Sequence, residues 1–322
     1  MKVKQKKDNV VQTKTTKTSW KQSEAVKCLK KNKMTYMFLI PGIILTLVFC
    51  YIPMGGLYIA FVDYNPFEGI MGSPFVGLEN VKEIFQIPAM SKAIFNTLKL
   101  SLLNLALVFP LPLIFALLLN EIRNIRFKRF VQTVSYLPHF ISTIAVVGIA
   151  TTLYSSSGII NDIRVALFGA ETERILFLSL QDFFVPNILI LTVWQSIGWS
   201  SILYLSALSG IDPELYEAAV IDGAGKFRQC RHITLPCLST TIIMLLVLQI
   251  GGLFTSNFDL IYGLQNTFID FEVISTAVYK QGIENGNYPV ATALSFLSGI
   301  MSLILILGSN YFSKKINDVS LI

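Results

Sequence analysis

Glu217-Ala218-Ala219-Val220-Ile221-Asp222-Gly223, followed after nine residues by Ile233-Thr234-Leu235-Pro236, stands between two long apolar runs. Seven of residues 212–236 carry a formal charge, so the segment is expected outside the hydrocarbon of a bilayer. The chain leaves the membrane here and enters it again. A segment so placed can dock a soluble partner and pass movement into the membrane part.

Composition sets the class. Hydrophobic residues make up 53% of the 322 residues and charged residues only 14%. A soluble domain carries about a quarter charged residues. Apolar runs of about 20 residues, long enough to cross a bilayer, recur along the chain. Six spans are predicted, at 35–62, 94–120, 131–154, 185–210, 238–262 and 289–312. The expected fold is an all-α polytopic membrane protein. It has a basic tail at 1–33, one helical domain at 34–312 and a short tail at 313–322. Pro41 and Pro53 in the first span, and Pro110 and Pro112 in the second, predict kinks. The spans show no internal repeat.

Charge orients the helices. With the N-terminus cytoplasmic, residues 1–33, 121–130, 211–235 and 313–322 are inside and carry 20 Lys/Arg against 8 Asp/Glu. The outside loops, 63–93, 155–184 and 263–288, carry 5 Lys/Arg against 11 Asp/Glu. The positive-inside rule therefore predicts that both termini are cytoplasmic. Asp259 is then the one acidic residue within a span, and Lys99 a basic residue at a span's outer edge. Net charge of +6 is used in orientation and not as a nucleic-acid face. The tail holds eleven lysines in 33 residues and is expected to be disordered, as a topology signal or resting on anionic lipid. Span one is too long for the core of a signal peptide and reads as a retained helix.

Site chemistry is sparse. Cys28, Cys50, Cys230 and Cys237 lack metal spacing, and Cys28 and Cys230, on the cytoplasmic side, are expected as reduced thiols. His139 and His232 are far apart, and no hydrolase signature occurs, so no catalytic or metal residue is expected. Gly223-Ala224-Gly225-Lys226 falls short of a phosphate loop, because Val220 and Phe227 stand where Gly and Ser/Thr are required. No cofactor is expected in this chain, and energy for its work must come from a partner.

The opening segment reads as two short helices. Asp212 suits an N-cap and Pro213 the first helical position. Glu214 and Glu217 follow near the positive end of the helix dipole. Gly223 suits the left-handed residue that ends a helix. A second helix, about 225–232, carries Lys226, Arg228 and Arg231, and Pro236 marks entry into span five.

These residues resemble a known family. Glu-Ala-Ala, three residues, Gly, nine residues and Ile-x-Leu-Pro is the signature of the inner-membrane permease subunits of ABC importers. It stands here complete as Glu217, Ala218, Ala219, Gly223, Ile233, Leu235 and Pro236, with Asp222 in its common place. The resemblance implies that 212–236 couples to an ATP-hydrolysing subunit, with Glu217 pairing to a basic group there. Asp63-Tyr64-Asn65-Pro66-Phe67, Gly72-Ser73-Pro74 and Val76-Gly77-Leu78-Glu79-Asn80 resemble the first outer loop of LplB-type sugar permeases, as do the lysine-rich start and Met37 to Gly42. Asn257-Phe258-Asp259-Leu260-Ile261-Tyr262 resembles the maltose-type permeases, and Tyr288 to Ala293 with Asn310-Tyr311 also fits. The resemblance implies the six-span type I importer fold in the cell membrane. It implies a second homologous permease, two ATP-binding subunits that hold ATP and Mg, an extracellular solute-binding lipoprotein and an oligosaccharide substrate.

Candidate substrate-path residues are Trp194, Gln195 and Trp199 in span four, and Asn257 and Asp259 in span five. Aromatic faces pack on sugar rings and amides serve hydroxyls. The two tryptophans also suit helix packing or the interfacial belt, and Asp259 suits a structural hydrogen bond or an outer gate. Asn104 suits an interhelical hydrogen bond. Loop 155–184 suits the membrane surface or the binding protein. An ion-coupled secondary transporter is the rival class, but one carboxylate in six spans gives it little to work with.

Overall fold

The structure, a computed structural model, describes residues 31–317. The first thirty residues, with Cys28 and most of the basic tail, and residues 318–322 lie outside it. The described residues are helical apart from turns and one isolated bridge, Val62 to Phe75. The chain falls into two units, the first ending at Gly56. In the first, α1 (Lys33–Thr46) continues through a π turn at Leu47–Tyr51 into Ile52–Met54, and its side chains are exposed.

The second unit holds α2 (Glu79–Gln86), α3 (Pro88–Glu121), α4 (Ile125–Tyr136), α5 (Thr143–Leu153), α6 (Ile159–Phe168), α7 (Gln181–Ser209), α8 (Pro213–Ile221), α9 (Lys226–Gly251), α10 (Phe258–Leu264), α11 (Ile274–Tyr279) and α12 (Tyr288–Asn317). Among the described residues five helical stretches are long and apolar enough to cross a membrane: Lys33–Phe61, α3, α7, α9 and α12. A sixth crossing exists only if Ile125–Phe140 and Thr143–Leu153 count together, and they are bent by 101°. The predicted third span, 131–154, is therefore not one helix. Pro138, the extended Ile141 and the Ser142 N-cap interrupt it.

The predicted fifth span, 238–262, is corrected as well. Its helix ends at Gly251, and Asn257 caps a separate short helix, its Oδ1 accepting from the Leu260 N–H at 3.1 Å. Asp259 is thus an exposed residue in the first turn of α10 and not a carboxylate within a span. The last helix also runs past the predicted 312, to Asn317.

Proline is accommodated by widening the turn before it. π turns at Leu47–Tyr51, Asn104–Val108 and Cys230–Thr234 each stand two residues ahead of a proline: Pro53, Pro110 and Pro236. Proline has no N–H for the carbonyl four residues back and its ring crowds that carbonyl. In each case that carbonyl lies inside the π turn, where a five-residue bond such as Phe109 N–H to Asn104 O, 2.9 Å, carries the helix past it. Pro41 needs no such turn, and α1 passes through it unbroken.

Three buried clusters hold the second unit together. Leu100, Val146, Phe184, Ile188, Leu260 and Ile261 join α3, α5, α7 and α10. Ile84, Met90, Ile274, Val290 and Leu294 join α2, α3, α11 and α12. Ala116, Tyr204, Leu208 and Leu238 join α3, α7 and α9. Outside them the helices present exposed Leu, Ile and Phe, as lipid-facing surfaces do. α4 crosses close over α7 at Gly198, where a Cβ would lie 2.1 Å from the Ser135 carbonyl oxygen.

Buried backbone outside regular helices must find protein partners. Here α3 supplies the partners. Asn96 Nδ2 donates to the Glu272 carbonyl at 2.9 Å, Thr97 Oγ1 accepts from the Ile274 N–H at 2.8 Å, and Ser101 donates to the Leu253 carbonyl.

Polar contacts sort the unit into two faces. Lys226 and Glu121, 3.2 Å apart, bring the start of α9 to the end of α3. Lys92 pairs with Asp270, whose backbone also exchanges hydrogen bonds with the Gln181 side chain, joining the starts of α3 and α7. The sequence places the same two groups on opposite sides. At the second face Asn80 Nδ2 donates to the Ala60 and Val62 carbonyls, at 3.1 and 3.0 Å. Loop 155–184 is organised by buried Asn161, which donates to the Ser155 and Ile175 carbonyls and accepts from the Ile175 N–H and Arg164.

Candidate coupling segment and membrane cavity

Asp212 Oδ1 accepts from the Glu214 N–H at 3.0 Å and Pro213 begins α8, as the sequence predicts. Gly223, at φ +73°, ends it. The Ala224 N–H donates to the Ala219 carbonyl at 2.8 Å and the Gly223 N–H to the Val220 carbonyl at 3.0 Å, the paired bonds of a left-handed helix cap.

The second short helix expected at 225–232 does not stand alone. Lys226 opens α9, and the helix continues through the π turn Cys230–Thr234 into the membrane part. Ile233 and Thr234 are thus in the π turn, with Leu235 and Pro236 just beyond it. Gln229 is buried and its Nε2 donates to the Ala224 carbonyl at 2.8 Å, bracing the link. The Tyr216 and Thr234 hydroxyls, 3.0 Å apart, tie α8 to the π turn.

Glu217, Ala218 and Asp222 are exposed and Ala219 half-buried. Four large apolar side chains are exposed beside them: Leu215, Val220, Ile221 (86%) and Phe227 (81%). They form an apolar patch on a charged segment, the kind of patch for which a covering partner is sought.

A cavity of about 700 Å³ lies between α3, α7, α9 and the Gly252–Asn257 link. That is within the usual range of ligand sites, about 300–1,000 Å³. Its wall includes Ser101, Asn104, Thr192, Ser196, Trp199, Gln249, Thr255, Ser256 and Asn257, with Phe109, Leu203 and Leu248 as apolar wall, and no charged side chain lines it. Asn104 makes no interhelical bond: its Nδ2 donates to Leu100 O of its own helix at 3.1 Å, and its buried Oδ1 has no partner.

Of the candidate path residues, Trp199 and Asn257 line this cavity and Trp194, Gln195 and Asp259 do not. Gln195 turns to the broken helix, its Nε2 donating to the Ile141 carbonyl at 3.0 Å. Trp199 stacks on His139 with centroids 4.5 Å apart and planes 5° from parallel. Gln195 and Trp199, four residues apart, thus both hold the break between α4 and α5. Thr192, Ser196 and Ser200 form a hydroxyl row along the α7 wall of the cavity, and their four-residue spacing on an apolar helix is a signal legible in the sequence.

The helical spans, the capped segment 212–236 and the uncharged cavity define a polytopic membrane protein. Residues 108–318 match the family described as binding-protein-dependent transport system inner membrane component, and the chain belongs to that family. It is 42% identical to protein LplB of Bacillus subtilis (strain 168) over 296 residues, covering 91% of this chain and 92% of LplB. It is 41% identical to the polygalacturonan/rhamnogalacturonan transport system permease protein YteP of the same organism over 293 residues, 90% of each. Its structure matches a chain of a bacterial ABC transporter involved in the import of the acidic polysaccharide alginate, with TM-score 0.83, 35% identity, and coverage of 91% of this chain and 99% of that one. A bacterial alginate ABC transporter solved in complex with an alginate pentasaccharide-bound periplasmic protein matches at TM-score 0.83 and 34% identity over 92% of this chain and 99% of that chain. The chain has the type I ABC importer permease fold and is a multi-pass inner-membrane protein.

Proposed function

We propose that this chain is one of two permease subunits of an ABC importer that carries an oligosaccharide, a fragment of a complex glycan, into the cell. The observation that carries the proposal is a single architecture. A docking segment at one face leads through the π turn of α9 to an uncharged cavity lined by hydroxyl, amide and aromatic groups.

Both termini and α8 lie in the cytoplasm, by the lysine and arginine balance. Leu215, Val220, Ile221 and Phe227 seat α8 in a groove of an ATP-binding subunit, and Glu217 pairs with a cation there. Two such subunits hold ATP and Mg. An extracellular solute-binding lipoprotein delivers sugar to the opposite face. Closure of the ATP-binding subunits carries α8 with it, and Tyr216 to Thr234 passes the movement to α9. ATP shifts the equilibrium only by its different affinity for the two states, so it must favour the outward-facing state.

The sugar lies on Trp199 and is hydrogen-bonded by Asn257, Gln249 and the hydroxyls of the wall. Asp259 is exposed in the first turn of a short helix, which gives little support to an ion-coupled mechanism that would use it. Purification in mild detergent tests the assembly. A second permease, an ATP-binding subunit and binding-protein-stimulated ATP hydrolysis are expected together, and a chain that purifies alone from cells expressing its neighbours contradicts it.

A further inference from the structure

We infer that a second cavity, about 620 Å³ between α10, α11 and α12, is a further pyranose subsite on the sugar's path. The inference rests on the proposed oligosaccharide path and extends it. The two cavities share Thr255 and Ser256, which line both, so they meet at the irregular link after α9. Ser256 Oγ lies 2.9 Å from Ser275 Oγ and holds that link to α11. Non-helical backbone inside a membrane protein stands where it lines a cavity or is buried in protein. This link lines two.

The chemistry of the second wall suits a neutral sugar ring. Ser275, Thr292, Ser295 and Ser298 give hydroxyls, and Phe258 and Tyr279 give aromatic rings. The rings are fixed in advance. Phe258 stacks on Tyr262 at 5.1 Å and 17°, and Tyr279 packs on both, at 5.2 and 5.0 Å. Tyr262 donates to Glu284 Oε1 at 2.9 Å, which anchors the group to the π turn Lys280–Glu284. A held platform loses little freedom on binding. π turns occur often at functional sites, and Gly282 of this one also lines the cavity.

Substrate protection of single cysteines tests the subsite. Ser196→Cys reports on the first cavity and Thr292→Cys on the second, each in the whole transporter with its native cysteines replaced by serine. The probe is a maleimide, with the longest oligosaccharide the transporter carries. At ten times its Kd, mass action slows labelling about tenfold at an occupied position. Protection at both positions is expected. Protection at Ser196→Cys alone overturns the second subsite and leaves the proposed function standing. Protection at Thr292→Cys alone supports the second subsite and removes the first cavity from the path. Protection at neither overturns both.

Discussion

The Tyr216 and Thr234 hydroxyls lie 3.0 Å apart, joining α8 to the π turn through which α9 continues. Thr234 is buried and Tyr216 half-buried, so water replaces this bond poorly. Removing it with Tyr216→Phe costs about 1 kcal/mol. The expected outcome is a complex that assembles and hydrolyses ATP but carries less sugar per ATP. Parallel assays of hydrolysis and uptake in proteoliposomes check it, and an unchanged ratio counts against the linkage.

Gly223 is the second prediction. At φ +73° it ends α8, and a Cβ there meets no neighbour, so the cost of substitution is backbone strain and not a clash. For an L-residue that strain is roughly 1–2 kcal/mol. Gly223→Asp and Glu217→Ala are each expected to lower substrate-stimulated ATP hydrolysis and uptake while the protein still inserts. Normal uptake by both variants removes the coupling role.

Gly198 carries a different risk. Its Cβ would lie 2.1 Å from the Ser135 carbonyl oxygen and must push α7 from α4. Overpacking of a tight site costs about 1–3 kcal/mol. Gly198→Ala is expected to lower the yield of folded protein and its thermal stability in detergent, measured by size-exclusion after heating. Equal stability would show that the two helices are free to separate.

Within α7, neighbouring positions are expected to separate structure from transport. Gln195→Leu loses the bond to Ile141 O and should reduce stability with little change in the substrate concentration for half-maximal ATPase stimulation. Trp199→Ala should loosen the same break through His139 and, unlike Gln195→Leu, should also raise that concentration, because Trp199 lines the cavity. Asp259→Asn should alter neither. A large effect of Asp259→Asn on uptake returns the carboxylate to the path.

Much of this was legible in the chain. The caps at Asp212 and Gly223 follow from local chemistry, and the structure forms both as read. The charge balance groups 121–130 with 211–235 and 63–93 with 263–288, and the structure pairs Glu121 with Lys226 and Lys92 with Asp270. Hydropathy did not reveal the break at Pro138–Ser142 or the end of α9 at Gly251, because an apolar run reads alike whether it is one helix or two. The partners of the broken backbone, Asn96, Thr97 and Ser101, are distant in sequence from the groups they satisfy. Gln195 looked like a sugar ligand for the same reason: its partner, the Ile141 carbonyl, comes close only in the fold.

Uptake of a labelled oligosaccharide into proteoliposomes that hold this chain, its partner permease and the ATP-binding subunits tests the central claim most directly. The account predicts uptake that requires both ATP inside the energised compartment and the loaded binding protein on the other side, and that ignores imposed proton or sodium gradients. Uptake driven by an ion gradient without ATP would contradict it.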